Sequence, residues 1–79
     1  MAEHLVYKKI VMAVKRGGLR EPFSKEEFIN ACPGLASGTY NAFLWKHRVG
    51  NPGGETELFV KVSPGKFVLK RPLEYGLEI

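Results

Sequence analysis

At 79 residues the chain has room for one small domain, with a core so thin that folding alone is marginal. Hydrophobic residues make up 44%, which excludes a disordered tail, and no apolar stretch approaches the roughly 20 residues of a transmembrane helix. The single cysteine excludes an intrachain disulfide and a Cys-built zinc cage, and the net charge of +4 is moderate, so its placement matters more than its size.

The first helix is predicted from about Glu3 to Arg16. Leu5, Val6, Ile10, Ala13 and Val14 recur at three- and four-residue spacing and form one apolar stripe. Lys8, Lys9, Lys15 and Arg16 line its polar side, and Gly17-Gly18 stop it. A second, short helix follows Ser24, an N-cap whose partner Glu27 completes a capping box, with Phe23 and Phe28 placed for a hydrophobic staple. Pro33 and Gly34 end it, and Leu35 plugs the turn. Cys32 reads as a small buried hydrophobe in preference to a reactive thiol.

The third helix is expected over residues 37–48, with Ser37 as N-cap. Tyr40, Phe43, Leu44 and His47 share its inward face, while Gly38, Asn41, Ala42, Trp45 and Arg48 lie outward, bordered by Thr39 and Lys46. The second and third helices, separated by a tight Pro-Gly-Leu turn, form a helix-turn-helix. A loop at Asn51-Pro52-Gly53-Gly54 leads into two strands within residues 57–71, about Glu57 to Val62 and Lys66 to Arg71. A two-residue Pro64-Gly65 turn puts Leu58, Val60, Val62, Phe67 and Leu69 on the core face. Phe59, Lys61, Lys66, Val68 and Lys70 then fall on the outer face. An L-Pro at the first central position favours type II over the primed hairpin turns, and a bulge at Gly65 would reconcile them by shifting this register. Residues 72–79 alternate Leu73, Tyr75, Leu77 and Ile79, an extended segment along the core or a dimerisation strand.

All eight acids are glutamates, with none between Glu27 and Glu55 or between Glu57 and Glu74. Lys46, Arg48, Lys61, Lys66, Lys70 and Arg71 fall in those gaps, a segregation that points to a polyanionic partner. No metal-ligand cluster, paired carboxylates or phosphate loop can be assembled, so no enzyme, metal or cofactor is expected. His47 reads as a packed core histidine. The start of the third helix at Ser37, Gly38 and Thr39 offers backbone N–H groups to a phosphate. Asn41 suits an adenine edge, Lys46 and Arg48 suit phosphate or guanine, and Lys61, Lys66 and Lys70 suit the adjacent backbone or minor groove. Lys15, Arg16 and Arg20 are weaker candidates. Trp45 has three readings: packed under the hairpin, touching DNA sugar or a thymine methyl, or marking a protein interface with Phe59 and Val68.

Thr39, Tyr40, Ala42 and Leu44 of the third helix, with Phe59, Val60, Val62, Pro64, Gly65, Lys66, Phe67 and Leu69 of the hairpin, carry a family likeness over residues 5 to 71. Through them the chain resembles winged-helix domains of the HARE-HTH kind and similar small domains of restriction enzymes and archaeal regulators. The resemblance implies an α+β winged helix-turn-helix over residues 1–79: three helices, then a two-stranded wing, with room for a short third strand. It also implies DNA binding in transcription regulation or nucleoid association, in an archaeal, viral or plasmid setting. The Glu/Lys-rich charge without Asp or Gln leans toward a thermophile. Double-stranded DNA is therefore the expected partner, with a homodimer or a protein partner through Trp45, Phe59 and Val68 as the alternative. Binding to single strands or RNA ranks lower, because Tyr40 and Phe43 face inward. Glu3 is followed by no signal-peptide apolar region, so a cytoplasmic, nucleoid-associated location without a membrane is expected.

Overall fold

Three helices precede an antiparallel hairpin in the computed structural model, which describes residues 2–75 and 77, with side chains from Leu5 onward. Helix α1 spans Ala2–Lys15, α2 spans Lys25–Ala31 and α3 spans Ser37–Lys46, followed by strands β1 (Phe59–Ser63) and β2 (Lys66–Leu69). The architecture is thus a small α+β fold with a two-stranded antiparallel hairpin.

Local devices set the helix ends. Gly17, at φ 82°, closes α1 in a Schellman turn, its N–H reaching Val14 O at 3.1 Å while the Gly18 N–H reaches Ala13 O at 2.9 Å. The capping box opens α2 as expected: Ser24 Oγ accepts the Glu27 N–H, and a Glu27 carboxylate oxygen accepts the Ser24 N–H at 2.8 Å. At the other end of α2 the Arg16 guanidinium donates to Ala31 O at 3.1 Å. Between α2 and α3 the Tyr40 hydroxyl accepts the Leu35 N–H at 3.1 Å and donates to Cys32 O at 2.5 Å, tying down the turn from within the helix it precedes.

Helix α3 departs from expectation at both ends. Its N-cap is Ala36, in an extended conformation, whose carbonyl takes the first helical bonds from Thr39 and Tyr40, so Ser37 is the first helical residue and not the cap. The helix stops at Lys46, short of Arg48. Residues 47–49 turn aside to pair with β1: the Leu58 N–H bonds His47 O at 2.7 Å and the Val49 N–H bonds Phe59 O at 2.8 Å. Continuing the helix would forbid those bonds.

The hairpin face is the largest correction. Phe59 is fully buried and Val62 is 52% exposed, the reverse of the expected assignment, and Val60 is only half-buried. The register pairs Phe59 with Leu69, Val60 with Val68 and Lys61 with Phe67, then slips so that Ser63 meets Lys66. One extra residue, Val62, therefore sits in a bulge on β1, and Phe59 and Lys61 before it face opposite to where an unbroken register would send them, while Leu58, Phe67 and Leu69 are buried as expected. The Pro64-Gly65 turn keeps the conformation its proline dictates, with Gly65 at φ 74°. The bulge that reconciles the two lies at Val62 and not at Gly65.

A third extended piece flanks the hairpin. Phe23 and Phe67 exchange both backbone hydrogen bonds, at 2.8 and 2.9 Å, so the segment before α2 lies along the free edge of β2. The core gathers on these pairings: the Phe59 ring meets Tyr7, Phe23 and Phe43 edge-on at centroid distances of 6.1, 6.3 and 5.8 Å. On α1, Val6, Ile10 and Ala13 face inward as expected. Tyr7 and Val11 join them, whereas Leu5 is 60% exposed and Val14 half-buried. Packing against both α2 and the hairpin rotates the buried arc past Leu5. After β2 the chain turns back onto α1. The Glu74 N–H bonds the Tyr7 hydroxyl, Tyr75 packs edge-on against Tyr7 at 5.7 Å, and Lys15 donates to Leu77 O at 2.6 Å. Leu73 and Leu77 pack on the core. The described part of this tail turns at Glu74–Tyr75 and forms no strand; Ile79 lies outside the described residues.

Candidate nucleic-acid interface

The first turn of α2 connects α3 to the hairpin tip. Lys25, at its first position, donates from Nζ to the Asn41 side-chain oxygen on α3 at 3.2 Å. Two residues on, a Glu27 carboxylate oxygen lies 3.3 Å from Lys66 Nζ, at the start of β2. One turn of α2 thus reaches α3 through Lys25 and the hairpin through Glu27. The α3 surface beside it consists of exposed Ser37, Gly38, Asn41, Ala42 and Lys46, with Thr39 half-buried. The N-cap residue Ala36 makes no side-chain cap bond to the start of α3, and a Cβ at Gly38 would meet nothing within 4 Å among the described residues.

Trp45 takes the first of its three readings. Its ring stands edge-on to Phe67 at 5.1 Å, half-buried beneath the hairpin. Phe59 has no exposed surface and so cannot belong to the expected patch of Trp45, Phe59 and Val68, whose other two members are half-buried. The register places Lys61 on the same hairpin face as Phe67, where it is exposed. Lys61 was expected on an outer face with Phe59; the two do share a face, but it is the inward one.

Arg48 and Lys70 stand apart from this group. The Arg48 guanidinium donates to Trp45 O at 3.0 Å and caps the end of α3, a structural use of its charge. Lys70 faces Glu74 at 3.7 Å, and Glu74 is tied to Tyr7 on α1, so this lysine belongs to the α1 side. The last hairpin cation, Arg71, holds Glu21 through both terminal nitrogens at 3.2 and 3.1 Å, while the Leu69 N–H donates to the same carboxylate at 2.6 Å. Burial works to raise the Glu21 pKa, but the Arg71 and Leu69 hydrogen bonds and the Arg71 charge outweigh it and hold it below its ordinary value. Glu27 is likewise lowered, by the Ser24 backbone N–H first and Lys66 second. The acid-free gaps of the sequence therefore do not survive folding: Glu21, Glu27 and Glu74 return to the hairpin cations.

His47 is a packed core residue as expected, 1% exposed, with Nδ1 2.8 Å from Thr56 O. Burial pushes the Cys32 thiol pKa up, against smaller pulls from Arg16 and Lys9, so its thiolate is disfavoured. Among the described residues no three His, Cys, Asp or Glu side chains cluster to hold a metal ion, and no helix is long and apolar enough to cross a membrane. Sequence reasoning missed Lys25. Its position just after a capping-box serine, at the start of the helix that precedes α3, was the available signal. No family model, curated protein or solved structure matches the chain.

Proposed function

We propose that the chain is a winged helix-turn-helix module that binds double-stranded DNA with α3, the tip of the hairpin and the first turn of α2. The observation that carries this reading is the pair of contacts Lys25–Asn41 and Glu27–Lys66, by which the first turn of α2 links polar and cationic side chains of α3 and of the hairpin. Helix α3 supplies an uncapped N-terminus and a small-residue surface at Gly38 and Ala42 that a duplex backbone can approach closely. Asn41 is the base-edge reader of this surface, and Lys25, Lys46, Lys61 and Lys66 are the phosphate contacts. Transcription regulation or nucleoid association is the role that such a module would serve.

Four phosphate contacts correspond to a log K versus log salt slope of about −3 to −4. Fluorescence anisotropy of a labelled mixed-sequence duplex, titrated from 25 to 200 mM NaCl, tests this directly. Lys61→Ala should weaken binding severalfold and flatten the slope by about one. A salt-independent signal, or no binding at 25 mM NaCl, would refute the proposal.

A further inference from the structure

Of the two acids on the first turn of α2, Glu26 and Glu27, it is Glu27 whose carboxylate meets both the Ser24 N–H and a cation of the proposed binding face. One oxygen accepts the Ser24 N–H at 2.8 Å and also faces Lys66 Nζ at 3.3 Å. We propose that Glu27 is an internal competitor for the phosphate that Lys66 binds, and so sets both the affinity and the salt dependence of the duplex-binding face. This inference rests on the duplex-DNA reading above.

The three acid partners of the hairpin cations are not equivalent. Glu21 also accepts the Leu69 N–H, and its side chain is only 20% exposed, so its pairing with Arg71 is part of the folded framework. Glu74 is four residues from Lys70, meets it at 3.7 Å and lies on the α1 side. Glu27 instead joins elements 39 residues apart, and both partners are close to half exposed, at 42% for Lys66 and 48% for Glu27. Water screens such a pair, and a phosphate offers Lys66 the same charge with more acceptor oxygens. When Lys66 turns to a phosphate, Glu27 does not follow it out of the way. The capping box keeps the carboxylate on the first turn of α2, where it repels the incoming polyanion. Glu27 thus opposes binding twice, by occupying Lys66 in the free protein and by adding negative charge next to the phosphate in the complex. Lys25 lies on the same turn, so the duplex is attracted and repelled by neighbouring residues.

Glu27→Gln isolates this effect, because glutamine at the same position still completes a capping box while the charge is gone. The test is anisotropy of a labelled 20-base-pair mixed-sequence duplex with wild type, Glu27→Gln, Lys66→Ala and the double variant, each checked by circular dichroism melting. Glu27→Gln should bind about three- to tenfold tighter at 50 mM NaCl, with a slope steeper by about one. In the Lys66→Ala background the same change should give less than half of that logarithmic gain. Equal affinity and slope for wild type and Glu27→Gln, or an undiminished gain without Lys66, overturns the inference while leaving the DNA reading intact. Absence of binding by every form at 25 mM NaCl overturns both. A readout independent of any variant is the carboxyl ¹³C titration of Glu27 in the wild-type chain. Its midpoint should rise on adding duplex, and an unmoved midpoint overturns the competition.

Discussion

Replacing Phe59 by leucine and, separately, Val62 by lysine distinguishes the bulged hairpin from an unbroken one. Phe59 is fully buried, and its ring meets Tyr7, Phe23 and Phe43 edge-on. Aromatic pairs of this kind contribute about 0.5–1.5 kcal/mol each beyond the area they bury. Leucine keeps most of the apolar area but loses that geometry and part of the volume, so Phe59→Leu should destabilise the fold by about 2–3 kcal/mol. Domains of this length have a total stability of about 4–12 kcal/mol, and each kcal/mol moves the melting temperature by about 4–8 °C. The expected drop is therefore about 10–20 °C. Val62 occupies the extra position of the bulge and is half exposed, so Val62→Lys should stay within about 0.5 kcal/mol of wild type. Urea unfolding followed by far-ultraviolet circular dichroism measures both. A Val62→Lys loss equal to or larger than that of Phe59→Leu would show that Val62, and not Phe59, faces the core.

Two further perturbations probe the supports of the candidate site. Tyr40→Phe removes the hydroxyl that bridges Leu35 N–H and Cys32 O, leaving a half-buried amide without its acceptor. The expected loss is about 1–2 kcal/mol, with faster hydrogen exchange at Leu35 as the local readout, and unchanged exchange there would contradict the bridge. Glu21 has a pKa below its ordinary 4.5 in the folded chain, so its stabilising contribution is present above that value and lost as pH falls through the folded pKa. Wild type should therefore lose stability between about pH 5 and pH 2, more steeply than Glu21→Gln. At pH 7 the variant should be less stable by about 1 kcal/mol, a modest figure because Arg71 is 55% exposed and solvent screens the pair. Parallel acid unfolding curves for the two proteins would refute this assignment.

What could be read from the sequence was local. The Ser24–Glu27 capping box, the Gly17 stop of α1 and the Pro64-Gly65 turn depend on neighbours within a few residues, and all three stand where the spacing put them. The hairpin face was only partly legible, because alternation alone cannot announce a one-residue bulge: the slip at Val62 turns Phe59 inward, while Leu58, Phe67 and Leu69 are buried as expected. Helix α3 was read two residues too long for a similar reason: the bonds that end it come from Leu58 and Phe59, more than ten residues away. Of the candidate site, Asn41 and Lys66 are each tied to the first turn of α2, a segment the charge pattern did not implicate. Gaps between acids along a chain measure contour length, and folding carried Glu21, Glu27 and Glu74 back across those gaps.

The segment from Glu21 to Glu27 explains why the acids returned. A two-stranded hairpin is at best marginally stable in water, and β2 would otherwise present an open edge. Residues 21, 23 and 27 run antiparallel along that edge, bonding Leu69 with Arg71, then Phe67, then Lys66 in turn. The same seven residues also begin α2 and offer Lys25 to Asn41. On the proposed duplex-binding reading, holding the hairpin against the body and displaying it to a polyanion are tasks of one short stretch that compete for Lys66. Raised salt should weaken the Glu27–Lys66 pair and duplex binding together, whereas the partly buried Glu21 carboxylate, with its backbone donor, is screened less and keeps the hairpin in place. The division falls between a clasp at one end of β2 that serves the fold and a clasp at the other end that can open to a ligand.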